Sequence, residues 1–491
     1  MPRLVSLSRA AKLVGISRGE LQKKIHDLEF ESFEGQVSLD DIERIFPDAE
    51  IEDNHIIEDL EKIVEQALKR AHGHKLASLL APDSYTLAAR LQSITKEQAH
   101  SQSQVKDLIR LFSDIQTQIS TLSETSSKPH LFDDLNNRIT DSIEKIKLPD
   151  TKSSPLLEKD TLLRVMAAQV HIKNTGHEFF VEGNNSILEA GLTSGLSLNY
   201  GCSNGNCGKC KAKLISGEIK KIKPHDFVFS ESEKLQNYFL CCSNTAITEV
   251  VIDADEAGNE KDIPSQKIPT KVKKINKISD DLLILNLKTP RTKRLRFLAG
   301  QNAILSRGDL PALELPIASC PCDDMNLQFH IPKNKDAFSQ YIYNELCNSD
   351  SIVIEGPSGT FLLDEESNNS VIFIAFDSGF GPIKSLIEQA VTLEHAKLIH
   401  LYWMSLSEKP YMHNQCHAWE DALDNFKYSP SQYDKSSMDD VNNQLILINT
   451  EYSDLSDKDF YICGKDYRVK QAQQFLLDNN VDKERIKVQP L

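Results

Sequence analysis

The sequence lacks any apolar run that approaches the roughly 20 residues needed to cross a lipid bilayer. Its first residues also lack the apolar stretch of a secretory signal peptide. Positive charge is in deficit, since 56 Lys and Arg residues stand against 72 Asp and Glu residues and the formal net charge is −16. We therefore expect no membrane partner and a cytoplasmic location, and the acidic balance disfavours general binding to nucleic acid.

Cysteine is scarce outside one segment of the chain. Five of the ten cysteines fall between residues 202 and 242. Such clustering suits a metal site in a reducing compartment better than a disulfide scaffold. The length of 491 residues indicates three or more domains, and the hydrophobic fraction of 40% is sufficient for several cores.

The clustered cysteines begin with Cys202–Cys210, which reads Cys-Ser-Asn-Gly-Asn-Cys-Gly-Lys-Cys. This C-x4-C-x2-C spacing is typical of plant-type [2Fe-2S] sites, which need one distant fourth cysteine. Gly205 and Gly208 allow loop conformations that place three thiolates around one cluster and aim backbone N–H groups at its sulfurs. Zinc sites usually combine two short C-x2-4-C units and only one clear pair is present, so a zinc site or a disulfide loop is the weaker interpretation.

The fourth ligand has two adjacent candidates, Cys241 and Cys242, of which only one can point inward from an extended segment. The stretch 166–255 resembles the plant-type ferredoxin family, whose Tyr-x-Leu-x-Cys run matches Tyr238, Leu240 and Cys242 here. That resemblance includes a short helix at 186–190 before the loop and a strand at 250–252 after the last ligand. It implies one [2Fe-2S] cluster bound by Cys202, Cys207, Cys210 and Cys242.

Residues 1–47 are predicted to form a small helix–turn–helix unit, which resembles the DNA-binding heads of MerR-type and excisionase-type regulators. Arg18, Lys23 and Lys24 are the side chains that would face phosphates. Acids and bases are about equal in number in this unit, so a protein-docking domain is an equally good interpretation.

Residues 48–122 are predicted to be helical. From Leu87 to Leu122, eleven positions alternate four and three apart, with polar Gln98 and Ser101 in the middle. This register indicates a coiled-coil seam that forms a homodimer through residues 87–122, or else a helix packed against a neighbour in the same chain. Residues 123–163 are polar and contain prolines, so we interpret them as a linker with some helix near 131–147.

The rest of the chain divides into a β-rich part and an alternating α/β part. After a polar connector at 259–270, strands are predicted at 282–287, 302–305, 327–331 and 351–354. Further strands are predicted at 371–376, 398–403, 444–448 and 460–463, with helices at 383–393 and 470–479.

Four motifs in the right order make 271–491 similar to the ferredoxin–NADP reductase family, in particular to members fused to a plant-type ferredoxin. They are Phe297–Gln301, Gly356–Phe361, Phe376–Pro382 and Tyr461–Gly464. The predicted fold class is therefore multidomain α+β and α/β. The expected parts are an N-terminal helical region, a β-grasp ferredoxin (164–256), a β-barrel flavin domain (266–367) and an α/β nicotinamide domain (368–491).

The resemblance implies FAD and either NADH or NADPH as cofactors. The family's Arg-x-Tyr-Ser flavin signature would fall on Leu313–Pro316, where all three named residue types are absent, and Asp336 replaces a glycine in the phosphate-binding turn. Cys463 takes the place of the family's catalytic cysteine beside the nicotinamide. The residues expected to bind cofactor are Leu313, Leu315, Pro316, Ser339, Ser378, Gly379, Phe380 and Gly464. Cys320 and Cys322 are expected to be strand-end thiols near the flavin cleft.

These parts together predict an NAD(P)H-dependent oxidoreductase. A nicotinamide delivers two electrons as a hydride, a [2Fe-2S] cluster takes one at a time, and a flavin between them can do both. The expected route runs from NAD(P)H through flavin and cluster to an unknown protein acceptor. The alternatives are a redox-sensing regulator and a docking protein with a degenerate reductase module.

Overall fold

The structure is a computed structural model of the chain. It describes residues 4–14, 16, 21, 24, 36–38, 42, 46, 82–125 and 137–140, and residues 155–491 apart from 291, 365, 366, 368, 394, 395, 435–438 and 453. Within these ranges, no helix combines the length and the apolar character needed to span a membrane.

The N-terminal unit has a small apolar core. Strand β1 (Leu4–Ser6) pairs antiparallel with β2 (Gln36–Ser38), and helix α1 (Leu7–Val14) follows β1. Of the predicted phosphate-facing residues, Arg18 and Lys23 lie outside the described residues and Lys24 is exposed. Arg9 on α1 is buried and forms ion pairs with Asp160 and Glu249. DNA binding by this unit stays a prediction.

Of the helical region predicted at 48–122, residues 48–81 lie outside the described residues, and a long helix is present in the rest. Helix α2 (Ser84–Thr125) covers the whole seam, and helix α3 (Pro155–Met166) lies where the end of a linker was expected. Arg90 attaches the start of α2 to the following domain, because its guanidinium donates to the carbonyls of Met166 (2.6 Å), Val181 (3.1 Å) and Ala246 (3.1 Å). The helix at 131–147 is described only at residues 137–140, which are helical.

Residues 167–254 form a mixed five-stranded sheet in the order β4-β3-β9-β5-β7, beside a two-stranded sheet of β6 and β8. Strand β3 runs parallel to β9, and the other pairs are antiparallel. Ser186 begins helix α4 with a capping box to Glu189. The helix before the loop and the strand after it are both confirmed. The elements are β3 (Ala167–Ile172), β4 (Glu178–Glu182), α4 (Ile187–Thr193), β5 (Lys211–Ser216), β6 (Ile219–Lys221), α5 (Glu231–Leu235), β7 (Tyr238–Leu240), β8 (Asn244–Ala246) and β9 (Val250–Ala254).

Residues 266–358 form a six-stranded antiparallel sheet in the order β13-β12-β15-β10-β11-β14. The sheet curls so that the segment after β13 meets β14, where Ala318 N–H donates to Gln328 O at 2.8 Å. All four strands predicted here are confirmed, although β10 begins inside the expected connector. The elements are β10 (Gln266–Ser279), β11 (Leu282–Lys288), β12 (Asn302–Ser306), β13 (Leu313–Pro316), β14 (Asn326–Pro332), α6 (Ala337–Asn344) and β15 (Ser351–Ser358).

Residues 370–490 form a parallel sheet in the order β18-β17-β16-β19-β20. The strand predicted at 444–448 is wrong, because these residues lie inside helix α9, whose Val441, Leu445 and Ile448 face the sheet at helical spacing. The elements are β16 (Ser370–Phe376), α7 (Phe380–Thr392), β17 (Ile399–Ser405), α8 (His413–Ala422), β18 (Phe426–Gln432), α9 (Asp439–Glu451), β19 (Lys458–Gly464), α10 (Asp466–Asp478) and β20 (Ile486–Pro490).

Candidate iron–sulfur and cofactor sites

The loop between α4 and β5 has the shape that its two glycines predict. Gly205 (φ +85°) and Gly208 (φ +72°) both have left-handed backbone conformations. A Cβ atom on Gly205 would lie 2.4 Å from His225 Cβ, and one on Gly208 would lie 2.2 Å from the Phe227 ring. The segment 225–229 therefore packs directly on the loop, and any side chain at either glycine would displace it.

Backbone N–H groups in this loop point at cysteine sulfurs, as the sequence predicts. Asn206 and Cys207 donate to Cys202 Sγ at 3.4 and 3.3 Å, and Cys202 donates to Cys207 Sγ at 3.4 Å. Burial acts to raise the pKa of Cys202, but these N–H groups and that of Asn204 outweigh it and lower the pKa. The loop thus favours the thiolate, which is the form that binds metal.

The other two candidate ligands lie close enough to interact. The Cys210 thiol lowers the pKa of Cys242. Cys241 is buried in the same core as Cys210 and Cys242, and burial raises the pKa of its thiol. Its backbone N–H donates to Cys210 O at 2.9 Å, whereas the thiol that acts most strongly on the Cys210 thiol is that of Cys242.

Two thiol pairs result, Cys202 with Cys207 and Cys210 with Cys242. Among the residues that the structure describes, no three His, Cys, Asp or Glu side chains converge on a single ion position. Two separate thiol pairs fit a [2Fe-2S] cluster, in which four cysteines are shared between two irons. Cys207 is the exposed member of the four, and the other three are buried.

The domain that carries the cysteine loop (residues 167–254) is attached to the β-barrel and to helix α7 by polar contacts. Arg296 donates to Ser197 O at 2.6 Å and to Asn199 Oδ1 at 3.2 Å, and Gln389 donates to Gly195 O at 2.7 Å. Arg296 is itself buried, and this burial lowers its pKa. The sequence motifs carry no signal for these residues, which the fold alone brings to the interface.

The positions expected to hold flavin are apolar and closed. Leu315 is buried in the barrel core, Leu313 packs against that core, and Pro316 has no N–H to donate. Just beyond them, Ser385 Oγ on α7 donates to Ser319 O at 2.7 Å. The expected contact of Leu315 with a flavin ring face is thus replaced by packing inside the barrel.

In the turn that was expected to bind a phosphate, a side chain of the turn itself occupies a backbone N–H donor. Asp336 caps helix α6, and its carboxylate accepts the Ser339 N–H at 2.7 Å. Ser339 is fully buried and its hydroxyl accepts the Asn334 N–H at 3.0 Å. An acidic cap uses a donor that a phosphate would need and repels a second negative charge. The residues present therefore do not fit the family's flavin-phosphate contact.

The expected nicotinamide residues come together at the carboxyl ends of β16 and β19. A Cβ atom on Gly379 would lie 2.3 Å from Cys463 O, so only glycine permits this approach. Ser378 is half-buried at the same turn, and Gly464 lies against Phe376. Asp377, which replaces a family glycine, has φ +49° and accepts the Leu406 N–H at 3.0 Å.

Two of the expected residues point into the core rather than to this edge. Phe380 is fully buried and stacks on Trp403 with ring centroids 3.8 Å apart. Cys463 is also fully buried, and burial raises its pKa well above the usual range, which keeps the thiol neutral. A role of Cys463 beside a nicotinamide would require movement of the surrounding side chains.

A buried polar pair that the sequence did not indicate joins the barrel to the parallel sheet. His330 Nδ1 lies 2.8 Å from the Tyr411 hydroxyl, and Nε2 lies 3.1 Å from Gln328 Oε1. Burial lowers the pKa of His330 to about 3, so the imidazole is neutral at physiological pH. Tyr411 lies in a connecting segment without a recognisable motif, and so the sequence carried no signal for the pair.

Cys320 and Cys322 depart from expectation because they form a disulfide. The bridge spans a turn at Pro321–Asp323 between β13 and β14. A bond between cysteines two residues apart depends on how the turn folds, which spacing alone does not determine.

Comparison with known proteins finds a match to an iron–sulfur domain and matches to reductases. The profile of the 2Fe-2S iron-sulfur cluster binding domain matches residues 170–246. The CDP-6-deoxy-L-threo-D-glycero-4-hexulose-3-dehydrase reductase of Yersinia pestis is 30% identical over 267 residues, which are 54% of this chain and 80% of that protein. Terephthalate 1,2-dioxygenase, reductase component 1, of Comamonas sp. is 23% identical over 63% of this chain and 92% of its own.

Among solved structures, the ferredoxin reductase in carbazole 1,9a-dioxygenase aligns with 66% of this chain and 98% of its own at 19% identity and a TM-score of 0.40. A ferredoxin NADP+ reductase from Neisseria gonorrhoeae, solved with bound FAD and NADP, aligns with 46% of this chain and 98% of its own at 17% identity and a TM-score of 0.40. The Yersinia protein is 30% identical and is covered over 80% of its length. The chain therefore belongs to the family of ferredoxin–NADP reductase-type oxidoreductases that carry a 2Fe-2S iron–sulfur cluster binding domain.

Proposed function

We propose that the protein is a cytoplasmic electron-transfer oxidoreductase with one [2Fe-2S] cluster. NADH or NADPH supplies the electrons, and a separate acceptor protein receives them. The ligands are Cys202, Cys207, Cys210 and Cys242. The proposed division of the chain is the one predicted from sequence, with a ferredoxin domain at 164–256, a barrel domain at 266–367 and a nucleotide domain at 368–491.

The observation that carries this proposal is the pairing of the four thiols. Backbone N–H groups donate to the sulfurs of Cys202 and Cys207, and the Cys210 thiol lowers the pKa of the neighbouring Cys242, so each iron would receive two thiolates. The cluster, when bound, takes up and releases one electron at a time. The chain's own part is to hold the thiolates, to shield three of the four ligands, and to leave Cys207 at the surface. An acceptor protein that binds the surface at Cys207 would lie close to the cluster.

Entry of electrons from a nicotinamide is supported by family membership and by the Gly379–Cys463 approach at the edge of the parallel sheet. The flavin positions do not supply the family's charged contact to phosphate. We therefore propose that any FAD is held weakly, since loss of a charge-assisted hydrogen bond costs about 1.5–3 kcal/mol and each 1.4 kcal/mol is about tenfold in affinity.

The experiment that tests this function is anaerobic titration of the purified protein with NADH and with NADPH, each with and without excess FAD. The visible absorption of the oxidised cluster reports the result. We expect at least one nucleotide to bleach the cluster, and we expect added FAD to accelerate the bleaching. A cluster that dithionite reduces but that neither nucleotide reduces, even with FAD, would exclude the nucleotide-fed route.

A redox-sensing regulator is the second candidate, and one observation favours it. Lys384 and Ser385 on α7 donate to the carbonyls of Ala318 and Ser319, at 3.2 and 2.7 Å, and so join the nucleotide domain directly to the barrel. Such a direct connection is suited to transmit a structural change between the two domains. The failed titration described above would favour this candidate.

We also propose that the chain is a homodimer through α2. Four apolar residues of its predicted seam are exposed, with exposed fractions of 51% (Leu91), 39% (Val105), 48% (Leu108) and 37% (Phe112). A seam register of this length is typical of helices that pair in parallel. Because Arg90 fixes the start of α2 to the ferredoxin domain, such pairing would hold two ferredoxin domains at one end of the coiled coil.

A further inference from the structure

The bridge between Cys320 and Cys322 lies at the junction of the barrel with the ferredoxin domain. We propose that this pair is a second, thiol-based redox centre, which exchanges two electrons with small dithiols and whose state is transmitted to the cluster loop through Asp324. The transmission depends on the proposed cluster, whereas the thiol exchange does not.

The two sulfurs differ in accessibility, which favours exchange at one of them. Cys320 is 6% exposed, while Cys322 is exposed at the surface. An external thiolate can therefore reach Cys322 and not Cys320. Disulfide exchange depends on which sulfur can be attacked and on how readily the other leaves.

The leaving sulfur is stabilised by the turn itself. Cys320 begins the Pro321–Asp323 turn, and its Sγ accepts the Cys322 N–H at 3.2 Å. A backbone donor at this distance stabilises the thiolate that forms when the bridge opens. Attack at Cys322 with release of Cys320 is thus favoured by both accessibility and hydrogen bonding.

The exchange balances with a dithiol as reductant. One thiolate of the dithiol attacks Cys322 Sγ, the bond between the two cysteine sulfurs breaks, and Cys320 leaves as a thiolate that takes up a proton. The second thiol of the reductant then attacks the mixed disulfide and releases Cys322 as a thiol. The bridge has gained two electrons and two protons, and the dithiol has become a cyclic disulfide.

The turn is coupled to the ferredoxin domain by the residue that ends it. Asp324 is 3% exposed, and its Oδ1 accepts from Arg294 Nη1 at 2.9 Å. Its main-chain oxygen accepts from Thr289 Oγ1 at 3.0 Å. Tyr200, which is buried, lies near this carboxylate.

Tyr200 lies two residues before Cys202, and helix α4 of the ferredoxin domain contacts the turn. Opening the bridge frees the turn from a short covalent ring and allows Asp324 to shift. A shift of Asp324 changes the charge facing Tyr200 and therefore the surroundings of the cluster loop. Cytosolic disulfides are usually redox-active rather than structural, which agrees with this assignment.

The test uses the full-length protein with its cluster under anaerobic conditions. The protein is poised in a series of reduced and oxidised dithiothreitol mixtures, quenched with a maleimide, and digested for mass spectrometry. We expect Cys322 to pass from unlabelled to labelled in the folded protein, and Cys320 to be labelled as well when the quenched sample is unfolded in excess maleimide. Cys347, an exposed free thiol, should be labelled throughout and serves as the internal control.

Visible circular dichroism of the cluster, recorded on the same samples, tests the coupling. We expect the spectrum to shift at the same dithiothreitol ratio as the labelling in the wild type and in Cys347→Ser, and to stay constant in the double variant Cys320→Ser, Cys322→Ser. Asp324→Asn should keep the thiol titration and lose the spectral shift.

Labelling that appears only after unfolding in excess dithiothreitol would make the bridge structural and overturn the proposal. Double labelling before any reductant is added would overturn it as well. Thiol exchange without a spectral shift would overturn the coupling through Asp324. A wild-type protein without a cluster spectrum would instead count against the proposed function, because the labelling result does not depend on the cluster.

Discussion

The carboxylate of Asp336 accepts the backbone N–H of Ser339 at 2.7 Å, and so this chain caps with its own acid the helix start that was expected to receive a flavin phosphate. Replacing Asp336 with glycine frees that donor and removes a negative charge. A charge at a helix start is worth about 0.3–1 kcal/mol, so we expect Asp336→Gly to tighten FAD binding by roughly two- to fivefold.

Fluorescence titration with FAD measures this effect. Asp309→Gly, which removes an exposed acid from the same domain, is the matched control and should leave the affinity unchanged. An unchanged affinity in Asp336→Gly, with the helix intact by circular dichroism, would show that FAD does not use this turn.

The choice between adjacent cysteines gives the second prediction. Cys242→Ser should abolish or destabilise the cluster because it removes the partner of Cys210. Cys241→Ser should keep the cluster, because the thiol that acts most strongly on Cys210 is that of Cys242, while burial raises the pKa of Cys241. Iron and sulfide content of the two purified variants decides the matter, and the reverse pattern would assign the ligand to Cys241.

The seam of α2 gives the third prediction. Phe112→Asp combined with Ile115→Asp places two charges in the proposed interface, a severe cost in apolar surroundings. We expect this variant to sediment as a monomer at micromolar concentration while the wild type sediments as a dimer. Leu111→Asp is the control, since Leu111 is 54% exposed but lies outside the seam register. A wild type that is already monomeric would contradict the proposed dimer.

The docking of the ferredoxin domain rests on Arg296. Arg296→Met removes its bonds to Ser197 O and Asn199 Oδ1, and bonds to charged groups are worth about 1.5–3 kcal/mol each. We expect faster hydrogen exchange at 195–200 and faster proteolysis of the connector near residue 260. Arg307→Met breaks a more exposed ion pair with Asp350 on the barrel and should change neither rate. Equal protection in both variants would mean that other contacts dominate the docking.

The buried histidine gives a pH prediction. The pKa of His330 is lowered to about 3 by burial, whereas an unfolded histidine titrates near 6.5. The unfolded chain therefore binds the extra proton between these values, and stability falls as the pH falls from about 6.5, by at most about 1.4 kcal/mol per pH unit. His330→Gln should flatten the dependence of the unfolding temperature on pH between about 6.5 and 4.5. An unchanged slope would show that other groups control it.

Local patterns predicted the parts of the molecule that depend on neighbouring residues. The C-x4-C-x2-C spacing with Gly205 and Gly208 defined the cysteine loop, and runs of apolar residues located the barrel strands. The strand expected at 444–448 failed because a run of four apolar residues fits a buried strand and one face of a helix equally well. The surrounding sheet, and not the run itself, decided for helix α9.

Contacts between distant segments could not be predicted in this way. His330 meets Tyr411 across 81 positions, and Arg296 reaches Ser197 O across 99. Each of these residues alone has an ordinary surface or strand context in the sequence. Cys320 and Cys322 were expected to be strand-end thiols, because their bond depends on the geometry of a turn that only the structure provides.

Iron and acid-labile sulfide analysis of the purified protein, together with its visible spectrum before and after dithionite, tests the central claim most directly. We predict two irons and two sulfides per chain, held by two thiol pairs, and an absorption that bleaches on reduction by one electron. Zinc in place of iron, with no acid-labile sulfide, would contradict the account.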